Sequence, residues 1–192
     1  HGAGGTRAHQ RFADAIDALI GQIVDSARSH TTTPVAVAAL GGYGRRALCL
    51  HSDLDLLIVF NGPIGEGEER FVKAVLHPLW DLKVTVGHQV RVLADFAQIE
   101  RDNPEFLLAL LDARLLAGDR GVFDAAQERF EGSSDAYREE VLEALLQLTD
   151  ERHTKFNHTI YQLEPDIKDA PGGLRDIAAA RVLLSLASQT QQ

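Results

Sequence analysis

Two carboxylates that open an apolar run most constrain how this chain can fold. Asp53 and Asp55 flank Leu54, and the run carries no further charge up to residue 60. Side chains alternate between the two faces of a strand, so both carboxylates should share one face. Leu54, Leu56 and Ile58 should then face the core. Neighbouring carboxylates repel each other unless a cation neutralises them, so Asp53 and Asp55 are predicted ligands of Mg²⁺ or Mn²⁺.

Ten residues separate a Gly-Gly pair from the first carboxylate. Pro34 opens an earlier apolar run that predicts a buried strand, and Gly41-Gly42 ends it. Glycine lets the backbone approach a phosphate closely, and the N–H groups of a helical turn can point at an anion. Arg45 and Arg46 follow in that turn and can offset negative charge on a ligand. We therefore expect these four residues to contact a phosphate-bearing molecule.

The pattern of apolar residues along the chain changes near residue 95. Before that point, segments of helical period alternate with three strand-like runs, at 34–40, 53–60 and 84–93. After it, Leu-, Ala-, Glu- and Arg-rich segments repeat at helical spacing, at 104–118, 120–131 and 135–160. The expected fold class is α+β, with a small mixed sheet in residues 1–95 and a truncated all-helical domain in residues 96–192.

Composition excludes some classes of function. The formal net charge of −9 over 192 residues argues against a nucleic-acid binder, which needs many cations against phosphates. No apolar run approaches the roughly 20 residues of a membrane helix, and the first residues lack a signal-peptide core. With Cys49 as the single cysteine, a disulfide framework is excluded and a cytoplasmic location is the default expectation.

The order of strand, Gly-Gly, and two acidic residues on the next strand resembles the polymerase-β-like nucleotidyltransferase superfamily. More narrowly, Gly41–Arg46 together with Ser52–Asp55 is similar to the bacterial PII-protein uridylyltransferases, as are LWDL from residue 79, VGHQVR from residue 86 and LLAGD from residue 115. The most specific stretch is YQLEPDIKDAPGGLRD, from residue 161 to residue 176. The resemblance extends over about residues 35–180.

This resemblance implies an Mg²⁺-dependent transfer of UMP from UTP to a tyrosine of the PII regulatory protein. It implies catalytic and metal-binding roles for Asp53 and Asp55, and adds Ser52 to the nucleotide-binding residues. Full-length members of the family also carry a hydrolase domain with an adjacent His-Asp pair that removes UMP. This chain has no such pair, so it is expected to transfer UMP without removing it.

Three positions depart from what the superfamily or the family usually has. The family commonly has Glu where Ala47 stands and Pro where Leu50 stands, both between the glycines and the aspartates. The superfamily commonly has a third carboxylate where this chain has Gly87, followed by His88. His88 is a candidate general base because a neutral imidazole accepts a proton near pH 7. The alternative is a strand histidine with a structural hydrogen bond.

The segment Glu164–Asp176 is neither helix-like nor strand-like, because two prolines and a Gly-Gly pair interrupt it. Lys168 and Arg175 flank that pair and are predicted to bind the triphosphate, with the segment facing the carboxylates across a cleft between domains. In the alternative interpretation, both cations pair with nearby aspartates, which are Asp166, Asp169 and Asp176, and only fix the loop.

Two other functions stay open at this point. A related nucleotidyltransferase can act on a different protein, as the adenylyltransferases of glutamine synthetase do, although those keep an acidic residue where Gly87 stands. A non-catalytic module can also bind nucleotide through a decayed site. Retention of both Asp53 and Asp55 argues against decay.

Overall fold

The computed structural model describes residues 5–48, 52–97, 103–136, 138–161, 164 and 166–188. It confirms the α+β class, with a small mixed sheet and several helices. The chain divides into two compact units, which we call the sheet unit (residues 1–98 and 112–130) and the helical unit (residues 99–111 and 131–192). Among the described helices, none has the length and apolarity needed to cross a membrane.

The elements follow each other in this order: α1 (Gly5–Ala27), β1 (Val35–Ala39), α2 (Gly41–Gly44), β2 (Leu54–Phe60), α3 (Glu66–Asp81), β3 (Val86–Val92), α4 (Pro104–Leu111), β4 (Arg114–Gly118), α5 (Arg120–Ala136), α6 (Arg138–Thr154) and α7 (Leu174–Ser188). Short 3₁₀ turns follow α1 at Arg28–His30 and β3 at Leu93–Ala97.

The sheet has the strand order β3-β2-β1-β4. β1 runs antiparallel to both β2 and β4, whereas β2 and β3 are parallel. Because β1 and β2 are antiparallel, the end of β1 meets the start of β2, and the N–H of Leu40 donates to the carbonyl of Asp55 at 2.9 Å. The topology therefore brings the Gly-Gly turn after β1 to the carboxylates that open β2.

One face of the sheet packs against α1 and α3. From β2, Leu54, Leu56, Ile58 and Phe60 join a single buried cluster, as the alternation along this strand predicted. The helices contribute, among others, Ile20, Val24, Phe71, Val75 and Leu79 to the same cluster. Burial of each such side chain contributes about 1.5–3 kcal/mol, so this cluster fixes which face of β2 the aspartates can occupy.

The prediction of a helix over residues 104–118 is wrong in its second half. Helix α4 ends at Leu111, and Arg114–Gly118 forms β4, which pairs with the edge of β1. Leu-Leu-Ala fits a helix or a buried strand equally well, and the unpaired backbone groups of β1 decide for the strand. Residues 112–130 belong to the sheet unit for this reason, within the stretch predicted to be all-helical.

Glu68 ties the first turn of α3 to the loop before β1. Its Oε1 accepts hydrogen bonds from the hydroxyls of Thr31 at 2.6 Å and Thr33 at 2.7 Å. Its Oε2 accepts the N–H of Gly65 at 3.0 Å. The bond from Thr31, then that from Thr33 and the backbone bonds, lower the pKa of Glu68 from its usual 4.5 to about 2.

We expect Glu68→Gln to destabilise the chain in a pH-dependent way. A carboxyl whose pKa is depressed by folding stabilises the folded state above its unfolded pKa and loses that contribution as pH falls toward its folded pKa. The difference in unfolding free energy between the parent chain and Glu68→Gln should therefore be constant near neutral pH and shrink below about pH 4.5. Urea unfolding across this range measures it, with the exposed Glu69→Gln as control. An equal difference at every pH would contradict the role of the charge.

Candidate functional site

Asp53 and Asp55 lie at the start of β2, at the end of the sheet where β1 finishes. Both are exposed, whereas Leu54 between them is only 2% exposed and belongs to the core. This alternation is the pattern expected when both carboxylates lie on the face away from α1 and α3. The start of β2 therefore presents two acidic residues to solvent on an otherwise buried strand.

The carboxylate of Asp55 lies between two glycines. A Cβ atom placed on Gly41 would lie 3.9 Å from its Oδ2, and one placed on Gly87 would lie 2.5 Å from its Oδ1. Gly87 is the residue paired with Asp55 on the parallel neighbour β3. No real Cβ tolerates the second distance, so the absence of a side chain at Gly87 is what leaves room for this carboxylate.

The turn after β1 is the four-residue helix α2. The N–H groups of Gly44, Arg45 and Ala47 donate to the carbonyls of residues 40, 41 and 42, at 2.9, 3.1 and 2.9 Å. The first amides of a helix have no partner within the helix, and here they belong to Gly41 and Gly42, beside Asp55. The predicted phosphate-contacting backbone and the predicted metal ligands are thus brought together.

The two arginines of the turn differ in their surroundings. Arg45 pairs with Asp112, and its guanidinium lies 4.0 Å from the Cβ position of Gly42. Arg46 is directed to α1, where it contacts Asp14 at 2.7 Å and Asp17 at 3.6 Å. The structure therefore keeps Arg45 beside the glycines and uses Arg46 to hold the turn to α1.

Ser52 is exposed and directly precedes Asp53. Ala47, one of the departures from the usual family sequence, is exposed just after α2. Leu50, Cys49 and Pro165 lie outside the described residues.

The structure does not bring His88 to the carboxylates. Gly87 faces Asp55, and successive side chains of a strand point to opposite faces, so His88 lies on the face of α3. Its ring packs edge-on against Trp80 of α3, with the ring centroids 6.1 Å apart. His88 is exposed and is not placed to take a proton at Asp55, so this geometry does not support the predicted general base.

Lys168 and Arg175 belong to the helical unit. Arg175 contacts Asp169 at 3.0 Å and Glu105 at 3.3 Å. These ion pairs agree with the alternative interpretation, in which Arg175 fixes the loop. The amides of Asp169 and Lys168 donate to Asp166 and hold the pKa of that carboxyl below its usual value. Lys168 itself is exposed. That this segment faces the carboxylates stays a prediction.

Asp176 and Arg152 close the same loop. Arg152 pairs with Asp176 and donates to the carbonyl of Asp169 at 2.9 Å, and its side chain is only 8% exposed. His153 and the N–H of Gly172 also contact Asp176, at 3.0 and 2.6 Å. The irregular segment is therefore held by a buried cation that the sequence had not singled out.

Reasoning from sequence also missed a set of three residues behind the Gly-Gly turn. Tyr43 is buried, its hydroxyl donates to Asp17 of α1 at 2.8 Å, and Arg114 of β4 contacts the same carboxylate at 2.7 Å. The one available signal was a tyrosine inside a glycine-rich turn, where a large side chain needs a pocket.

A family model described as GlnD PII-uridylyltransferase matches residues 140–192. Curated relatives, each named "Bifunctional uridylyltransferase/uridylyl-removing enzyme", match most of the chain. The protein of Photobacterium profundum is 38% identical over 84% of this chain, and that of Vibrio parahaemolyticus 41% identical over 74%. The protein of Methylococcus capsulatus is 36% identical, again over 84%.

The chain belongs to the PII-uridylyltransferase family. It matches only 16–18% of the length of these relatives. The family model and the relatives together extend from the glycine turn and the aspartates into the helical unit, where the specific stretch around Lys168 lies.

The carboxylate oxygens at the start of β2 suit a hard cation whose coordination shell is completed by phosphate oxygens of a ligand. Within the described part of the chain, no group of three or more His, Cys, Asp or Glu side chains could hold a metal. Mg²⁺ is usually bound through one or two carboxylates together with waters and substrate phosphates. Asp53 and Asp55 therefore fit Mg²⁺ or Mn²⁺ bound together with a triphosphate. Gly41, which has no side chain, leaves the backbone beside Asp55 accessible to such a ligand.

Proposed function

We propose that this chain transfers UMP from UTP to a tyrosine hydroxyl of the PII regulatory protein, with Mg²⁺ or Mn²⁺ as cofactor. The observation that carries the proposal is the exposed Asp53/Asp55 pair, with the Asp55 carboxylate seated between Gly41 and Gly87. The matching family model and relatives, whose names include PII and uridylyltransferase, support UTP as the nucleotide and PII protein as the acceptor.

In the proposed reaction the tyrosine oxygen attacks the α-phosphorus of UTP, the bond to the β-phosphate breaks, pyrophosphate leaves and the phenolic proton is released. A bound metal ion would neutralise the phosphates and offset the charge that develops on them. Asp53 and Asp55 would hold that ion, while the amides of Gly41 and Gly42 would contact phosphate oxygens. Arg45, whose guanidinium lies 4.0 Å from the Cβ position of Gly42, and Ser52, which directly precedes Asp53, would assist nucleotide binding.

The charge of the chain agrees with a small anionic substrate. A formal net charge of −9 disfavours nucleic acid, whereas a single triphosphate needs only local cations and a metal ion. We propose a cytoplasmic location on the same grounds as the function, because UTP and a nitrogen-regulatory acceptor are cytoplasmic molecules.

The test is a transfer assay with four nucleoside triphosphates, each radiolabelled at the α-phosphate. We expect label from UTP to appear on PII protein in the presence of Mg²⁺, and to disappear with EDTA or when the acceptor tyrosine of PII is replaced by phenylalanine. A clear preference for ATP would indicate an adenylyltransferase-like enzyme. Metal-dependent UTP binding without any transfer would indicate a decayed binding module, and either result would overturn the proposal.

Lys168 gives a prediction that separates ligand binding from loop structure. If Lys168 contacts the triphosphate, Lys168→Ala should weaken UTP binding or slow transfer by about tenfold, the loss of one charge-assisted hydrogen bond. Its melting temperature should stay nearly unchanged, because the side chain is exposed. Titration with UTP and thermal unfolding measure the two effects.

Arg175→Ala is the matched comparison for Lys168→Ala, because Arg175 pairs with Asp169 and Glu105. It should lower the melting temperature more than Lys168→Ala does. A Lys168→Ala chain that loses stability and keeps its UTP affinity and turnover would assign Lys168 to loop structure as well.

A further inference from the structure

Behind the Gly-Gly turn, one arginine joins three elements of the sheet unit. The guanidinium of Arg114 makes a bidentate pair with Asp17, through Nη1 to Oδ2 at 2.7 Å and Nη2 to Oδ1 at 3.1 Å. Asp17 lies on α1 and Arg114 opens β4. Bidentate pairs of this kind fix direction as well as distance.

The same guanidinium also binds the backbone of α2. Its Nε donates to the carbonyl of Gly44 at 3.2 Å, and its Nη2 lies 3.4 Å from the carbonyl of Tyr43. The last carbonyls of a helix have no partner within the helix, and a cation there is favourable. Arg114 therefore binds the C-terminal carbonyls of α2 and connects this helix to Asp17.

Tyr43 is buried and contacts both Asp17 and Arg114. Its side chain is 1% exposed, its hydroxyl donates to Oδ1 of Asp17 at 2.8 Å, and Arg114 lies over its ring at 5.6 Å from the centroid. Burial, then the hydrogen bond to Asp17, raise the pKa of Tyr43, so the hydroxyl stays a donor at physiological pH. We call Asp17, Tyr43 and Arg114 the anchor triad.

A helix of one turn cannot maintain its own geometry. Isolated helices shorter than about 12 residues are marginal in water, and α2 has four residues. Its position must come from contacts made by its side chains and terminal carbonyls. The anchor triad makes such contacts at Tyr43 and Gly44, in addition to those of Arg46 with α1. The other end of α2 starts at Gly41, beside the carboxylate of Asp55.

We propose that Asp17, Tyr43 and Arg114 are positioning residues for nucleotidyl transfer, which hold the backbone of Gly41 and Gly42 at the distance from Asp55 that a metal-bound triphosphate requires. This inference rests on the proposed function. The triad acts through the turn and does not itself touch the nucleotide.

Arg114→Lys is the decisive variant, because it keeps the charge and loses the fork that contacts Asp17 and two carbonyls at once. We expect kcat for UMP transfer to fall about tenfold to a hundredfold, since misplacing a reacting group by about 1 Å costs up to about a hundredfold. KM for UTP should change less than kcat. Tyr43→Phe, which removes only the hydroxyl bond, should show a smaller loss of kcat in the same direction.

Amide hydrogen exchange supplies a readout that does not depend on activity. In Arg114→Lys and in Tyr43→Phe, exchange should become faster at the amides of Gly44, Arg45 and Ala47, and stay unchanged in β1 and β2. Arg129→Lys is the matched control, because Arg129 also donates to a backbone carbonyl, that of Leu93 at 2.9 Å, away from the turn. It should leave kcat and exchange at these three amides unchanged.

The outcomes separate the triad from the proposed function. Unchanged kcat and unchanged local exchange in both triad variants would overturn the positioning role. So would a loss of kcat that accompanies faster exchange throughout the sheet and a lower melting temperature, since that pattern reflects global stability. If the parent chain transfers no UMP, the proposed function fails, whereas local exchange still reports whether the triad holds the turn.

Discussion

Replacing Asp55 with asparagine is expected to abolish UMP transfer and leave the chain folded. Asparagine has the same shape but offers a neutral oxygen, so it loses most of its attraction for a divalent cation. Asp55 is exposed beside Asp53, so removing one of the two negative charges relieves the repulsion between them, and we expect the fold to persist. Metal-ion stabilisation of transition-state charge amounts to several kcal/mol, which predicts a loss of about a thousandfold in kcat. Asp53→Asn should behave in the same way.

Three measurements check this prediction on each variant. Initial rates of labelled transfer give the loss of activity, thermal unfolding shows that the fold persists, and Mn²⁺ binding in the presence of UTP reports the metal site directly. Asp124→Asn is the matched control, since Asp124 is a half-exposed helix residue that pairs only weakly with Arg120 at 4.0 Å. Near-normal transfer by Asp53→Asn or Asp55→Asn would show that the metal-site assignment is wrong.

The face occupied by the aspartates was predictable from the sequence because it depends on local alternation. Leu54, Leu56 and Ile58 are large apolar residues at period two, and burying them on α1 and α3 leaves Asp53 and Asp55 no other side. Other local signals located β1 and β3: a continuous apolar run between Pro34 and Gly41 predicted β1, and a valine-rich run predicted β3.

The features that sequence reasoning missed depend on pairing between distant segments. β4 forms because β1 has an open edge, and nothing in Arg114–Gly118 itself distinguishes a strand from a helix. The face of His88 follows from the register that places Gly87 opposite Asp55, and a register between parallel strands cannot be read from either strand alone. Arg114 and Asp17 are separated by 97 positions, so their pairing was equally out of reach.

Gly87→Ala tests the register and the site together, and we expect it to lower transfer by about a hundredfold with little effect on stability. The new Cβ would lie 2.5 Å from Oδ1 of Asp55, so the carboxylate must rotate away. That end of the side chain is flexible, and the cost of an altered rotamer, about 0.5–1.5 kcal/mol, is offset by the lower entropy of the unfolded chain with alanine. The displaced carboxylate, however, no longer holds the metal where the triphosphate needs it.

Gly21→Ala is the control that isolates this effect, because no atom lies within 4 Å of a Cβ at that position in α1. It should leave transfer unchanged and raise the unfolding free energy by up to about 1 kcal/mol, the difference in helix propensity between glycine and alanine. Gly87→Asp, which introduces an acidic residue beside Asp55, should be as inactive as Gly87→Ala, since its Cβ meets the same oxygen. A rate of UMP transfer by Gly87→Ala within about threefold of the parent chain would contradict this prediction. The carboxylate position between Gly41 and Gly87 would then not be the one that the reaction uses.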